Sequence, residues 1–150
     1  MTLTTATHLN FRGNARLALE FYQSVFGGNL AITTYADLGM PADARGADSV
    51  VFGQVEAEGF TVMAYDIPGE TGGLLAGAGA TRRENGMTLT DQACFVCINA
   101  STLAEVQSYW DALADGASIV EPLAASAWSA GFGMLTDRFG VTWSAGVTVG

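Results

Sequence analysis

A chain of 150 residues with 49% hydrophobic and 14% charged residues can bury roughly two-thirds of its unfolded surface, which describes one soluble domain. Its formal net charge of −9 comes from 15 carboxylates against 6 basic residues, all of them arginine. The absence of lysine excludes Schiff-base chemistry, a lysine general base and a phosphate loop completed by lysine. With His8 the sole histidine, a multi-histidine metal site is excluded as well. Nucleic acid is not expected as a partner, because phosphate backbones are bound by clustered positive charge.

Residues Met1 to Leu9 lack a basic segment followed by an apolar run, so no secretory signal is expected. The strand-like alternation from Ala6 to Phe11 puts Leu9 and Phe11 on one face, His8 and Asn10 on the other. Asn14 is placed to cap a helix in which Ala15, Ala18, Leu19, Tyr22, Val25 and Phe26 recur at helical spacing, stopped by Gly27-Gly28. Strands are predicted at Leu30–Tyr35, Ser49–Val55 and Phe60–Asp66. Asp37 to Asp48 reads as a loop, and so does Ile67 to Asp91. Within the latter, Gly72 to Ala80 is glycine-rich and apolar, but it is far shorter than the ~20 residues that cross a bilayer. With no lysine and no helix pattern opening in it, it is not a phosphate loop. A loop over a cleft, or a dimer contact, fits its length better.

The order then repeats. A strand at Ala93–Ile98 is followed by a helix opened by Thr102, with Glu105 at capping-box spacing and Leu103, Val106, Tyr109, Trp110 and Leu113 as its apolar stripe. Gly116 ends the helix, and strands follow at Ser118–Glu121, Phe132–Thr136 and Val141–Val147. A shift of 88 residues brings Phe21-Tyr22 onto Tyr109-Trp110, Val25 onto Leu113 and Gly28 onto Gly116. The halves read as two copies of one unit, and two open sheets side by side enclose a cleft. Cys94 and Cys97 spell C-x-x-C, but on a buried strand residues three apart point to opposite faces, so both read as buried structural thiols.

The run from His8 to Asn14 (HLNFRGN), with Leu19 to Gly28 (LEFYQSVFGG), resembles the opening of the vicinal oxygen chelate superfamily of glyoxalases, bleomycin-resistance proteins and extradiol dioxygenases. Trp128 to Trp143 (WSAGFGMLTDRFGVTW) resembles the closing signature of its PhnB-like branch. The resemblance implies an α+β fold: two tandem β-α-β-β-β modules forming a curved mixed sheet around a cleft, in a homodimer. On this reading residues 1–150 are a single domain, with module one at 1–67, a connecting loop at 68–91 and module two at 92–150. It also implies that a divalent metal, where present, is held by side chains from the first and last strand of each module. Those positions read as His8, Met63, Ala93 (flanked by Gln92) and Ser144, with Asp66 displaced to a strand end.

One of the four positions carries a metal-ligating side chain, which makes His8 and Asp66 the candidate metal ligands. Asp137 reads as a turn residue bonded to its own backbone. Tyr65, Trp128, Phe132 and Trp143, with His8, are the candidate ligand-binding residues, because aromatic surfaces on cleft strands hold planar or apolar molecules. Adjacent Arg82 and Arg83 read as solvated. The resulting expectation is a cytoplasmic, homodimeric domain that binds a small molecule between its modules, without a membrane partner, a cofactor or the superfamily's metal chemistry. One alternative is a divalent-metal-dependent lyase, isomerase or dioxygenase of the glyoxalase type, with His8 and Asp66 holding Ni, Fe, Mn or Zn. The second is a drug-sequestering protein of the bleomycin-binding type, whose acidic charge favours a cationic ligand.

Overall fold

The computed structural model describes residues 2–72 and 80–148; of the glycine-rich run, residues 73–79 lie outside the described residues. The chain forms two compact units, Met1–Leu75 and Ala76–Gly150. Unit 1 runs β1 (Thr7–Phe11), α1 (Ala15–Phe26), β2 (Asn29–Thr34), β3 (Val50–Ala57) and β4 (Phe60–Asp66). Its strand order is β1-β4-β3-β2, with β1 parallel to β4 and the other pairs antiparallel.

Alternation along each strand separates an inner face from an outer one. Leu9 and Phe11 of β1, Val55 of β3, and Val62 and Ala64 of β4 are buried on the inner face. Helix α1 lays Ala15, Ala18, Leu19 and Tyr22 against them, the i, i+3, i+4, i+7 stripe of an amphipathic helix. Burying Leu19 and Tyr22 completely contributes on the order of 2–3 kcal/mol each. The helix settles this close because Gly53 lies beneath it: a Cβ there would sit 2.3 Å from Leu19 Cδ1.

Unit 2 begins with β5 (Arg82–Glu84) and β6 (Met87–Leu89), an antiparallel pair. This hairpin corrects the reading of Ile67–Asp91 as a loop. Its turn is Asn85-Gly86, both with positive φ (52° and 77°), the dipeptide favoured by two-residue hairpin turns. Then follow β7 (Val96–Ala100), α2 (Leu103–Ala114), β8 (Ser118–Ala124), β9 (Phe132–Thr136) and β10 (Thr142–Val147), in the order β7-β10-β9-β8. Strand β8 runs past Glu121 through Pro122, which an edge strand with shifted register tolerates.

The register makes the duplication exact at the level of rows. Leu9, Ala64 and Gly53 line up across unit 1, and Ile98, Ala145 and Gly133 across unit 2. Gly133 repeats the role of Gly53: its Cβ would meet Trp110 Cζ3 at 2.9 Å. Strand β7 starts at Val96 rather than at Ala93, and Val96, Ile98 and Ala100 are its inner positions. Cys97 therefore falls on the outer face and Cys94 precedes the strand. Both thiols are exposed and free, which corrects their reading as buried.

The helix starts are closed in two different ways. Thr102 Oγ1 accepts from the Glu105 amide (3.2 Å), while Glu105 Oε2 accepts from the Thr102 amide (3.2 Å) and the Ser101 hydroxyl (2.8 Å), so the capping box forms as read. The bond from Ser101, followed by that from Thr102, holds the Glu105 carboxyl below its ordinary pKa. Asn14, by contrast, makes no side-chain cap bond. The first helical amide, of Ala15, instead donates to Asp66 Oδ1 (3.0 Å), as does the amide of Gly13 just ahead of the helix (2.8 Å); their acceptor lies more than 50 residues away in sequence.

Candidate functional site

The outer face of unit 1 carries what the helix does not cover. By alternation it presents His8 and Asn10 from β1, Met63 and Tyr65 from β4, and Phe52 and Gln54 from β3. One row reads His8, Met63, Gln54, Ala31 across the four strands, and in the next Asn10 lies beside Tyr65. His8 is exposed. Its Nδ1 lies 3.1 Å from Asn10 Oδ1, and its ring meets Tyr65 edge to face, with centroids 5.4 Å apart and planes at 62°. His8 and Tyr65, both candidates from sequence, are thus brought together.

Asp66 points to the inner side, and its exposure of 2% reflects three amide donors. Besides Gly13 and Ala15, Val50 N–H donates to Oδ2 at 2.8 Å. Both oxygens are committed to fastening β4 to the helix start and to β3. The Asp66 carbonyl accepts from the Tyr35 hydroxyl at 3.0 Å. Burial, with Tyr65 and Asp66 nearby, raises the Tyr35 pKa, so this phenol stays protonated. Beside Tyr35 lies a partly open pocket of about 60 Å³, lined by Met40, Ser49 and Ile67 among others.

The equivalent row of unit 2 reads Cys97, Ser144, Met134, Glu121. The register therefore replaces Ala93 by Cys97 at the third of the positions that the resemblance implies. Phe132 also lies on this face, and the β5–β6 hairpin is fastened here. The Arg83 guanidinium carbon stands 5.2 Å from the Phe132 ring centroid, a cation–π distance. Arg83 Nε lies 3.8 Å from Glu121 Oε2, and its Nη1 donates to Thr88 Oγ1 at 2.9 Å. Arg83 is not solvated as read; Arg82 is exposed and pairs with Glu84 at 2.8 Å.

Two aromatic candidates go elsewhere. Trp143 lies on the inner face, 1% exposed, because Ser144 beside it takes the outer face and neighbours on a strand alternate. Its indole N–H donates to Asp137 Oδ2 at 2.8 Å, while Asp137 Oδ1 accepts from the amides of Phe139 and Val141. Asp137 thus holds its own turn, as read. Trp128 is 93% exposed, on a turn where Ser126 Oγ accepts from the amides of Trp128 and Ser129. It borders an open hollow of about 430 Å³ with Ala125, Ser126 and Val147. Among the described residues, no group of three or more His, Cys, Asp and Glu side chains is arranged to hold a metal ion, and no helix is long and apolar enough to cross a membrane.

Two β-α-β-β-β units with this strand order define the glyoxalase/bleomycin resistance/dioxygenase fold. A domain of that description from Frankia sp. EAN1pec, 10% identical, matches 99% of this chain and 93% of its own length with a TM-score of 0.63. The family model described as 3-demethylubiquinone-9 3-methyltransferase matches residues 4–145, and the chain belongs to that family, the PhnB-like branch of the vicinal oxygen chelate superfamily. Protein PA1353 from Pseudomonas aeruginosa is 30% identical, with 97% of this chain and 98% of that one covered and a TM-score of 0.75. A PhnB protein from Bacillus cereus is 24% identical, covering 97% and 100%, with a TM-score of 0.67. A search of curated proteins finds no match.

Proposed function

We propose that this PhnB-like chain binds a small molecule at the outer faces of its sheets and does so without the divalent-metal site of its superfamily. The observation that carries the reading is the cluster of exposed His8 and Asn10 beside partly exposed Met63 and Tyr65 on unit 1. It combines a polar group able to orient a ligand with aromatic and thioether surface to hold it. The donor set does not fit a divalent ion: His8 stands beside a thioether, both Asp66 oxygens are engaged by amides, and Cys97 stands beside Ser144. Protein purified without chelator is expected to carry far less than one divalent ion per chain; a stoichiometric ion lost on His8→Ala would overturn the metal-free reading.

The family description names a methyl transfer; nothing among the described residues supports a site for a methyl donor, so no methyl-transfer step is proposed for this chain. A homodimer in the cytoplasm completes the proposal. The nearly fully exposed Trp128 supports a contact with a second copy, and the free thiols suit a reducing compartment. Light scattering is expected to report about twice the chain mass of 15.6 kDa, and a monomer at all concentrations would remove the dimer from the proposal.

A further inference from the structure

We propose that Asn10 sets the tautomer of His8, making Nε2 the proton acceptor of the unit 1 outer face, and that the molecule held there presents an ionisable hydroxyl to it. The ligand part of this inference rests on the small-molecule reading; the tautomer part does not. His8 and Asn10 are two residues apart on β1 and share a face. The Asn10 carbonyl oxygen can only accept, so at 3.1 Å from Nδ1 it places the single proton of the neutral imidazole on Nδ1 and leaves Nε2 bare. Free histidine prefers the opposite tautomer, with its proton on Nε2, so the pairing reverses the intrinsic preference. The Tyr65 ring, edge to face with the imidazole, restrains the ring orientation from β4.

An exposed bare Nε2 is complementary to a donor. The net charge of −9 disfavours an anionic ligand; of the donors that remain, the hydroxyl of a neutral molecule is the one proposed, and a cationic N–H donor is the alternative that no binding of a phenol would favour. Partly exposed Tyr65 and Phe52, which is 42% exposed, add flat surfaces on the same side of the sheet, so the fitting class is a planar hydroxylated compound. The hydroxyl donates its hydrogen to Nε2. If the proton transfers, the imidazole becomes imidazolium and the ligand an oxyanion, with no other reactant needed.

Because His8 is the sole histidine, its ring signals need no assignment. In ligand-free ¹⁵N-labelled protein at alkaline pH, Nδ1 should show the protonated, pyrrole-type shift and Nε2 the bare, pyridine-type shift. Asn10→Ala should return Nε2–H as the major tautomer, and Asn10→Asp, whose oxygen still accepts from Nδ1, should restore the wild-type pattern. A wild-type protein with its proton on Nε2, or an Asn10→Ala spectrum unchanged from wild type, would overturn the role of Asn10. For the ligand class the probes are 4-methylphenol and its methyl ether. The phenol should bind at least about 10-fold more tightly, because a site built around a hydroxyl rejects the analogue lacking it, and His8→Ala should abolish the difference. Equal binding, or no binding of the phenol, would overturn the hydroxyl class, whereas the tautomer spectra test Asn10 without any ligand.

Discussion

The outer faces of the two units share a register and differ in nearly every side chain. His8, Met63, Gln54 and Ala31 in one row correspond to Cys97, Ser144, Met134 and Glu121 in the other. On unit 1 Gln54 is partly exposed, whereas on unit 2 Met134 is 2% exposed, with Thr88 of the hairpin bonded to its sulfur at 3.7 Å. The inner faces, by contrast, repeat one design: a glycine beneath each helix, an alanine beside it, and an aromatic ring at Tyr22 or Trp110. Inner positions are set by close packing, which leaves few alternatives. Outer positions are free to differ, and that is where ligand chemistry can be placed without disturbing the fold.

The largest effects should come from the inner side. Asp66→Ala strands two buried amides and one partly buried one and should cost about 3–5 kcal/mol in urea unfolding. If it costs less than 1 kcal/mol, Asp66 is not the fastener described. Trp143→Ala should cost about 3–5 kcal/mol, and Val62→Ala, at the equivalent position of unit 1, about 1–3 kcal/mol. Equal costs would break the correspondence between the two rows. The helix starts give a smaller and sharper contrast. Thr102→Ala should lose about 1 kcal/mol, whereas Asn14→Ala should stay within about 0.5 kcal/mol, since the Asn14 side chain makes no cap bond.

The smallest effect is the pH dependence of the α2 cap. The Glu105 pKa is lowered in the folded chain, so its contribution is present above the unfolded carboxyl value and is lost as pH falls through the lower folded value. Amide exchange at the start of α2, followed from neutral to acid pH, should accelerate over that window. Thr102→Ala, which removes the group closing the box from the other side, should weaken this dependence.

Both helices and most strands were legible from local periodicity, and Phe60–Asp66 and Phe132–Thr136 match residue for residue. The β5–β6 hairpin was missed because its strands are only three residues long, too short to show alternation, and β5 is wholly charged, although Asn85-Gly86 carried the signal of its turn. The role of Asp66 had no local signal, because its partners lie 16 to 53 positions away. The inward placement of Trp143 was legible: with Ser144 on the outer face, alternation alone turns its neighbour inward. The shared face of His8 and Asn10 was read from the same rule. The ring contact between His8 and Tyr65 needed the parallel pairing of β1 with β4, which no short window of sequence contains.

The central claim is that the outer face of unit 1 is where a ligand binds. The most direct test is ¹H–¹⁵N chemical-shift mapping of the full chain against a panel of small planar molecules, repeated with His8→Ala. We predict shifts concentrated at His8, Asn10, Met63 and Tyr65, and at least about 10-fold weaker binding in the variant. Shifts confined to other surfaces, or affinity unchanged by His8→Ala, would contradict the claim.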